Sequence, residues 1–188
     1  MRHRTAAAPR GDVAGTDTDV VVRSSPIHGV GVFAGRGFRQ GELILQPDES
    51  HVVKDEDVLP EEERKYCYDL PGKSVLWPPP ERYINHSCEP RACIKTVGDV
   101  RVVLAMRDIE PDEEITLDYR MDGFSENRWE CNCGSKRCSG VCDENFFRLP
   151  KALQQEYLPY LDDWFVEAFR EQVNALRREA LGRGTATP

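Results

Sequence analysis

Hydrophobic residues between positions 19 and 122 fall into short runs that are typical of β-strands. The β-branched run at 20–22, the glycine-punctuated run at 29–34 and the apolar triplet at 43–45 each predict one strand. Residues 92–106 predict a hairpin, because two apolar runs flank the dipeptide Gly98-Asp99. One more strand is predicted at 113–119. The pattern therefore predicts a domain rich in short strands.

Helical patterns occupy two other regions of the chain. Residues 59–70 begin with acidic side chains and predict one short helix. After Cys142, apolar residues recur at spacings of three and four, namely Leu153, Tyr157, Leu161, Trp164, Phe165, Ala168, Phe169, Val173 and Leu176. Pro159 would break one continuous helix, so a short helix from about 150 and a longer one from about 159 are predicted. This stripe packs on the domain or, alternatively, forms a dimer surface.

The order of these patterns predicts an α+β fold in which many strands precede the helices. Residues 1–18 have little to bury and predict a disordered tail. The strand-rich core extends over 19–122, a cysteine-bearing segment over 123–142 and a helical extension over 143–188.

Charge and composition limit the classes of molecule that this protein is expected to bind. The formal net charge of −8 argues against binding to nucleic acid or to an anionic membrane. It is compatible with a basic, lysine-rich peptide as partner, although ordinary solubility is the simpler explanation. No apolar run approaches the roughly 18 residues of a membrane helix, and none follows the basic N-terminus as a secretory signal would require. We therefore expect a cytoplasmic protein.

Three cysteines form a compact array that favours a metal site. Cys131, Cys133 and Cys138 follow the pattern C-x-C-x4-C, with Gly134 inside it. A structural zinc ion takes four tetrahedral ligands, and thiolates suit it well. The alternative, a set of free thiols or redox pairs, explains the C-x-C pair poorly.

The fourth zinc ligand must come from elsewhere in the chain. Of the seven cysteines, Cys88 is our choice, and Cys93 and Cys142 are the alternatives. Cys67 is predicted to be a core thiol. Cys88 ends the polar sequence NHSC within RYINHSCEP at 82–90, so this choice would place that loop beside the metal.

Four stretches together resemble the SET-domain family of S-adenosylmethionine-dependent protein lysine methyltransferases. They are HGVGVFA at 28–34, RYINHSCEP at 82–90, EEITLDY at 113–119 and CNCGSKRC at 131–138, in the order found in that family. The resemblance implies several short twisted sheets with a pseudoknot and a zinc-stapled post-SET segment at 123–142. It also implies methyl transfer to the side-chain amine of lysine in a protein. The acidic segment at about 50–80 would lie where the family binds its substrate, which suits a basic acceptor, although solvation of a surface helix explains the acidic residues equally well.

The resemblance assigns a cofactor-binding role to two groups of residues. Gly29 and Gly31 match the family's cofactor turn, with Val30 between them offering main-chain groups. Asn85 and His86 match the pair that lines the cofactor pocket.

Further roles follow from the same resemblance. Tyr119 matches the catalytic tyrosine, whose phenol orients the amine and the transferring methyl group. Arg82 matches a cofactor-side position, though a surface salt bridge fits it nearly as well. Trp129 matches an aromatic over the cofactor or substrate channel, or it anchors the zinc loop. Leu117 and Tyr83 border the substrate channel, with packing the more ordinary role for Tyr83. Because Leu117 carries no hydroxyl to restrain the amine, transfer of more than one methyl group is expected.

Two other functions stay open at this stage. The same fold could act on a small molecule, which methyl label in a low-mass fraction would reveal. The chain could also be a non-catalytic, zinc-stabilised binding module, although the glycine pair, the asparagine and the tyrosine argue against it.

Overall fold

The computed structural model describes residues 19–54, 59–70 and 72–183, and the tail predicted at 1–18 lies outside them. Within this part, short strands precede the main helices, so the predicted α+β class is confirmed. The strands are β1 (Val20–Ser24), β2 (Val30–Ala34), β3 (Leu43–Leu45), β4 (Val52–Val53), β5 (Cys67–Leu70), β6 (Lys73–Leu76), β7 (Asn85–His86), β8 (Ala92–Val97), β9 (Val100–Ala105), β10 (Glu114–Leu117), β11 (Phe124–Glu130) and β12 (Val141–Asn145). The helices are α1 (Glu61–Arg64), α2 (Lys151–Tyr157), α3 (Asp163–Ala168) and α4 (Arg170–Arg183), and single 3₁₀ turns lie at Glu81–Tyr83 and Phe146–Arg148.

The described strands form small sheets that bring distant segments together. The orders are β1-β2-β10-β7, β3-β9-β8 and β4-β6-β5, and β11 pairs with β12. The predicted hairpin at 92–106 is confirmed as β8 and β9. β7 and β10 run parallel, with Asn85 opposite Thr116 and His86 opposite Leu117. This pairing places the Asn-His segment beside the strand that leads to Tyr119.

The first hydrophobic core holds three of these sheets together. Val32 on β2, Val75 on β6, Val103 on β9 and Ile115 on β10 are all fully buried and belong to one cluster. Burial of each such side chain contributes about 1.5–3 kcal/mol. Because the members come from different sheets, their packing fixes how the sheets sit relative to one another.

The single helix predicted at 59–70 is wrong for its second half. Only α1 is helical, and residues 67–70 form β5, which pairs with β6. Tyr68 stacks on Trp77 with ring centroids 4.8 Å apart, which the extended conformation allows. The acidic residues stabilise one helical turn. Tyr68 and its neighbours are stabilised more by pairing with β6 and by packing on Trp77 than they would be in a helix.

The C-terminal stripe packs against the chain itself, as the first of the two alternatives predicted. Its most buried members are Tyr157, Leu161, Phe165, Val173 and Leu176, which form a second core with Phe146 and Leu149. This core fixes the helices against β8 and the segment that follows β12.

The longer helix predicted after Pro159 is divided in two. Asp162 caps α3 by accepting from the Asp163 amide at 2.7 Å. α3 ends at Phe169, whose backbone leaves the helical region with φ −116° and ψ 34°. The Phe169 ring packs 4.7 Å from Phe165 and 5.2 Å from Phe147, so aromatic packing accompanies the break. None of the described helices is long and apolar enough to cross a membrane.

Candidate active site

A cavity of about 1270 Å³ lies where the small sheets meet. One part of its lining comes from β5 and β6, another from β11, and a third from the ends of β7 and β10. Its volume exceeds that of most single small-molecule pockets, so it can hold a cofactor-sized molecule and part of a second ligand.

The glycine turn lies at the edge of this cavity, beside Ile27 and His28 of its lining. Gly29 has a positive φ of 48°, which an alanine would adopt only with strain. Gly31 is required for a different reason, since a Cβ there would lie 2.3 Å from Glu114 Oε1. The two glycines therefore shape the turn by conformation and by close packing.

A buried carboxylate ties the glycine turn to the sheet. Glu114 accepts from Ser25 Oγ at 2.8 Å and from Asn85 Nδ2 at 2.8 Å. Asn85 Nδ2 also lies 3.2 Å from the His28 carbonyl and 3.0 Å from the Val30 carbonyl. The amide nitrogen of Asn85 is thus occupied by the turn, and Asn85 holds the glycine turn in place through these contacts.

His86 is a buried neutral imidazole in the cavity lining. The Tyr119 main-chain amide donates to Nδ1 at 3.3 Å, which leaves the ring proton on Nε2, 3.5 Å from Cys88 Sγ. Burial lowers the pKa of His86 to about 4, although the nearby Asp118 carboxylate acts in the opposite direction. The imidazole therefore serves as a fixed link between the tyrosine backbone and the cysteine loop.

Tyr119 presents its phenol to the cavity. Its Oη donates to the Ile84 carbonyl at 2.6 Å, and its ring lies 5.4 Å from the His86 ring and 6.3 Å from the Trp129 ring. About a third of the side chain is exposed, because it lines the cavity. Burial raises the pKa of the Tyr119 phenol, with nearby acidic groups adding to the effect. The hydroxyl therefore stays protonated and its direction is set by the carbonyl.

The residue before the tyrosine is the centre of a buried ionic network. Asp118 accepts from Arg120 Nε at 2.8 Å and Nη2 at 2.6 Å, and from Tyr157 Oη at 2.8 Å. Arg120 Nη1 continues to Ser139 Oγ at 3.1 Å, which lies 3.9 Å from Cys88 Sγ. The network connects α2, the end of the active-site strand and the cysteine loop.

Four cysteines converge on one point. The sulfurs of Cys88, Cys131, Cys133 and Cys138 all lie within 4.8 Å of one another. Cys131 Sγ is 3.8 Å from Cys88 Sγ and 3.7 Å from Cys138 Sγ. Zinc with bonds of about 2.3 Å to four tetrahedral thiolates would separate its sulfurs by about 3.8 Å. The donor set and its spacing therefore fit a structural zinc ion.

Comparison with known proteins agrees with this geometry. Residues 29–120 match the SET domain family. Residues 29–120 form a SET domain. An H3 lysine-4 specific histone-lysine N-methyltransferase of Emericella nidulans is 34% identical over 135 residues, covering 62% of this chain and 11% of that protein. The Homo sapiens histone-lysine N-methyltransferase 2B is 33% identical over 139 residues, covering 63% of this chain and 5% of that protein.

The chain thus corresponds to a small part of the length of these relatives. A crystal structure of a candidate histone methyltransferase from Plasmodium falciparum is 24% identical and covers 55% of this chain and 94% of that chain, with a TM-score of 0.45. The family assignment rests on the matched residues and on the site geometry, not on that structural likeness.

The remaining cysteines lie apart from the four-cysteine cluster, which joins Cys88 of the SET domain to three cysteines that follow the domain in the chain. Cys93 belongs to the second core, and Cys142 is fully buried with its sulfur 4.0 Å from His86 Nδ1. Neither alternative ligand joins the cluster. Cys67, predicted to be a core thiol, is only half-buried and lines the cavity.

Arg82 lies at the cavity wall of the SET domain and makes an ion pair. Its Nε donates to the Trp77 carbonyl at 2.7 Å, and its Nη2 lies 3.2 Å from Glu63 Oε2. The guanidinium also covers the Tyr66 ring at 4.6 Å. Arg82 thus makes a salt bridge, as the alternative expected, but its side chain is largely buried and borders the cavity instead of lying at the surface.

Of the three remaining predicted site residues, two line the cavity and one does not. Leu117 is buried and lines the cavity, as the channel role requires. Trp129 on β11 is 38% exposed and also lines it. Tyr83 is outside the cavity lining and packs at 6.0 Å, edge to face, on Tyr66. Tyr83 packs against the first core, which agrees with the more ordinary of the two roles predicted for it.

Sequence reasoning missed four residues that organise the SET domain site. Glu114 and Asp118 lie inside the motif EEITLDY, and their acidic character in a buried strand was an available signal. Gly123 is needed because a Cβ there would lie 2.8 Å from the Tyr119 carbonyl. No sequence pattern indicated the hydrogen bond of Tyr157 to Asp118, since the apolar stripe that contains Tyr157 predicted only packing.

Proposed function

We propose that this SET domain transfers methyl groups from S-adenosylmethionine to lysine side chains of a protein. The observation that carries the proposal is the Tyr119 phenol, fixed by the Ile84 carbonyl inside a cavity that adjoins the glycine turn. The relatives named as histone-lysine N-methyltransferases support the same reaction class.

The cavity has room and suitable walls for the cofactor. S-adenosylmethionine, when bound, supplies a methyl group on a sulfonium centre. Asn85 and His86 line the cavity and would border the cofactor, while Asn85 and Glu114 hold the turn at Val30 in place beside it. Trp129 offers an aromatic face on the same cavity.

Tyr119 would align the acceptor amine for an in-line displacement. Its oxygen and the Ile84 carbonyl present partial negative charge that favours a cationic methyl group and restricts the amine. The acceptor must be neutral, and a dry channel bordered by Leu117 lowers the pKa of a lysine amine. Leu117 brings no hydroxyl, so we expect more than one methyl group to be added, which the product mass would show.

Structural zinc is part of the proposal. Four thiolates at tetrahedral spacing would hold it, with Cys88 joining the Asn-His loop to the segment at 131–138. The ion would stabilise the cavity wall and take no part in the chemistry. Thiolate ligation needs a reducing compartment, which supports a cytoplasmic location that cell fractionation would test.

The acceptor is proposed to be a protein lysine in a basic segment. The support is the net charge of −8, which would attract such a segment over the whole surface. The cavity lining itself mixes acidic and basic side chains, so it does not select charge on its own. We propose no direct nucleic-acid or membrane partner.

The test uses S-adenosylmethionine with a labelled methyl group and a protein extract as acceptor. Wild-type protein should label lysine in protein, and Tyr119→Phe should reduce the rate about a hundredfold or more. Cofactor affinity of the variant should stay within a few fold, since the ring is retained. Label confined to the low-mass fraction would instead favour a small-molecule acceptor, and failure to bind cofactor would favour a binding module.

A further inference from the structure

Helix α2 reaches the active-site strand through one buried phenol. Tyr157 is 1% exposed, and its Oη donates to Asp118 Oδ2 at 2.8 Å. Asp118 directly precedes Tyr119, and its side chain is fully buried. A hydrogen bond to a carboxylate in such a dry environment is short and directional. The helix therefore contacts the site one residue away from the proposed catalytic phenol.

The same helix also contacts the cysteine loop. Arg137 makes two parallel contacts with Glu156, at 2.7 Å and 2.8 Å. The pair is half-exposed, so it contributes little energy, but its two-point geometry fixes orientation. Neighbouring residues of α2 thus hold the cysteine loop and the strand end at once.

The Asp118 carboxylate sets the backbone around Tyr119. Its Oδ1 accepts the Arg120 main-chain amide at 3.0 Å, so Tyr119 is flanked by two residues that share one anchored carboxylate. Arg120 Nη2 and Tyr157 Oη both donate to the other oxygen, Oδ2, and so fix the position of the Asp118 carboxylate. Removal of the Tyr157 hydroxyl leaves one of these two contacts.

We infer that Tyr157 is a positioning residue for methyl transfer, and that the C-terminal helices are part of the catalytic domain. The inference rests on the proposed function. Tyr157 lies outside the cavity lining and touches neither ligand, so it acts through Asp118 on the placement of Tyr119. A displacement of about 1 Å of a positioned group can lower a rate about a hundredfold.

The experiment compares Tyr157→Phe with a matched variant on the same helix. Gln154 is also 1% exposed, and its Nε2 donates to the Phe147 and Leu149 carbonyls at 3.1 Å and 2.7 Å. Gln154→Leu therefore removes buried hydrogen bonds of α2 without touching Asp118.

We expect Tyr157→Phe to lower kcat about tenfold or more while KM for S-adenosylmethionine stays within about twofold. Gln154→Leu should lower the midpoint of urea unfolding and leave kcat within about twofold at a temperature where both variants are folded. Equal kcat for wild type and Tyr157→Phe would overturn the inference. A loss of kcat that merely follows stability in both variants would overturn it too.

A second readout does not depend on turnover. With ¹³C-labelled tyrosine rings, the signal of Tyr119, assigned by its disappearance in Tyr119→Phe, should shift in Tyr157→Phe and stay in place in Gln154→Leu. If wild-type protein transfers no methyl group, the proposed function fails, and this signal still decides whether α2 positions Tyr119. An unmoved signal in Tyr157→Phe would contradict the inference.

Discussion

Replacing Gly31 with alanine tests how the cofactor-side turn is built. The new Cβ would lie 2.3 Å from Glu114 Oε1 and 2.9 Å from Ser25 Cβ, well inside contact distance. The carboxylate cannot swing away freely, since Ser25 and Asn85 both hydrogen-bond to it. Overpacking of this kind costs about 1–3 kcal/mol, and breaking the carboxylate from its partners adds about 1–3 kcal/mol. We expect Gly31→Ala to lose about 3 kcal/mol of unfolding free energy and to bind S-adenosylmethionine more weakly.

Gly29→Ala is the matched control two residues away. Gly29 has φ of 48° with no atom within 4 Å of an added Cβ, so alanine costs about 1–2 kcal/mol through backbone strain alone. Urea unfolding followed by tryptophan fluorescence gives both free energies, and titration calorimetry gives the cofactor affinities. Equal losses in the two variants would refute the reasoning, because the buried carboxylate would then have moved without penalty.

Two other predictions concern the metal and pH. Cys133→Ser should lower bound zinc from about one per chain to near zero by elemental analysis, whereas Cys142→Ser, which alters a buried thiol outside the cluster, should keep it. Burial raises the pKa of Asp122 from 3.8 to about 7, so between about pH 4 and pH 7 the folded chain keeps a proton that the unfolded chain has lost. The contribution of Asp122 to the unfolding free energy therefore falls as pH rises through that window, whereas the lowered pKa of His86 gives a contribution of opposite sign. The unfolding free energy of wild type minus that of Asp122→Asn should therefore fall as pH rises from about 4 to 7; a difference that does not change with pH would show that Asp122 ionises normally.

Local sequence patterns predicted the features that depend on neighbouring residues. The hairpin at 92–106 follows from two apolar runs around Gly98, and the structure has the same turn. The C-x-C-x4-C array fixed three thiols by spacing, and thiolate chemistry required a fourth. The structure brings Cys88 to that position across more than forty residues.

Contacts between segments that are distant in the sequence could not be predicted from local sequence patterns. Residues 67–70 leave the predicted helix because a partner strand and Trp77 compete successfully with local propensity. The hydrogen bond from Tyr157 to Asp118 joins residues 39 apart, and a helical stripe does not distinguish a tyrosine that packs from one that also donates. The buried position of Glu114 depends on Asn85 and Ser25, which lie on other elements.

The β4-β6-β5 sheet shares no strand with the sheet that carries β10. It nevertheless supplies one wall of the cavity. Exposed side chains on this wall can therefore be exchanged without altering the hydrogen bond between Tyr119 and the Ile84 carbonyl. For protein engineering, the exposed residues Lys54, Asp69 and Lys73 of this wall are therefore suitable positions for a library, whereas Tyr68 and Leu70 belong to the packed interior and should be kept.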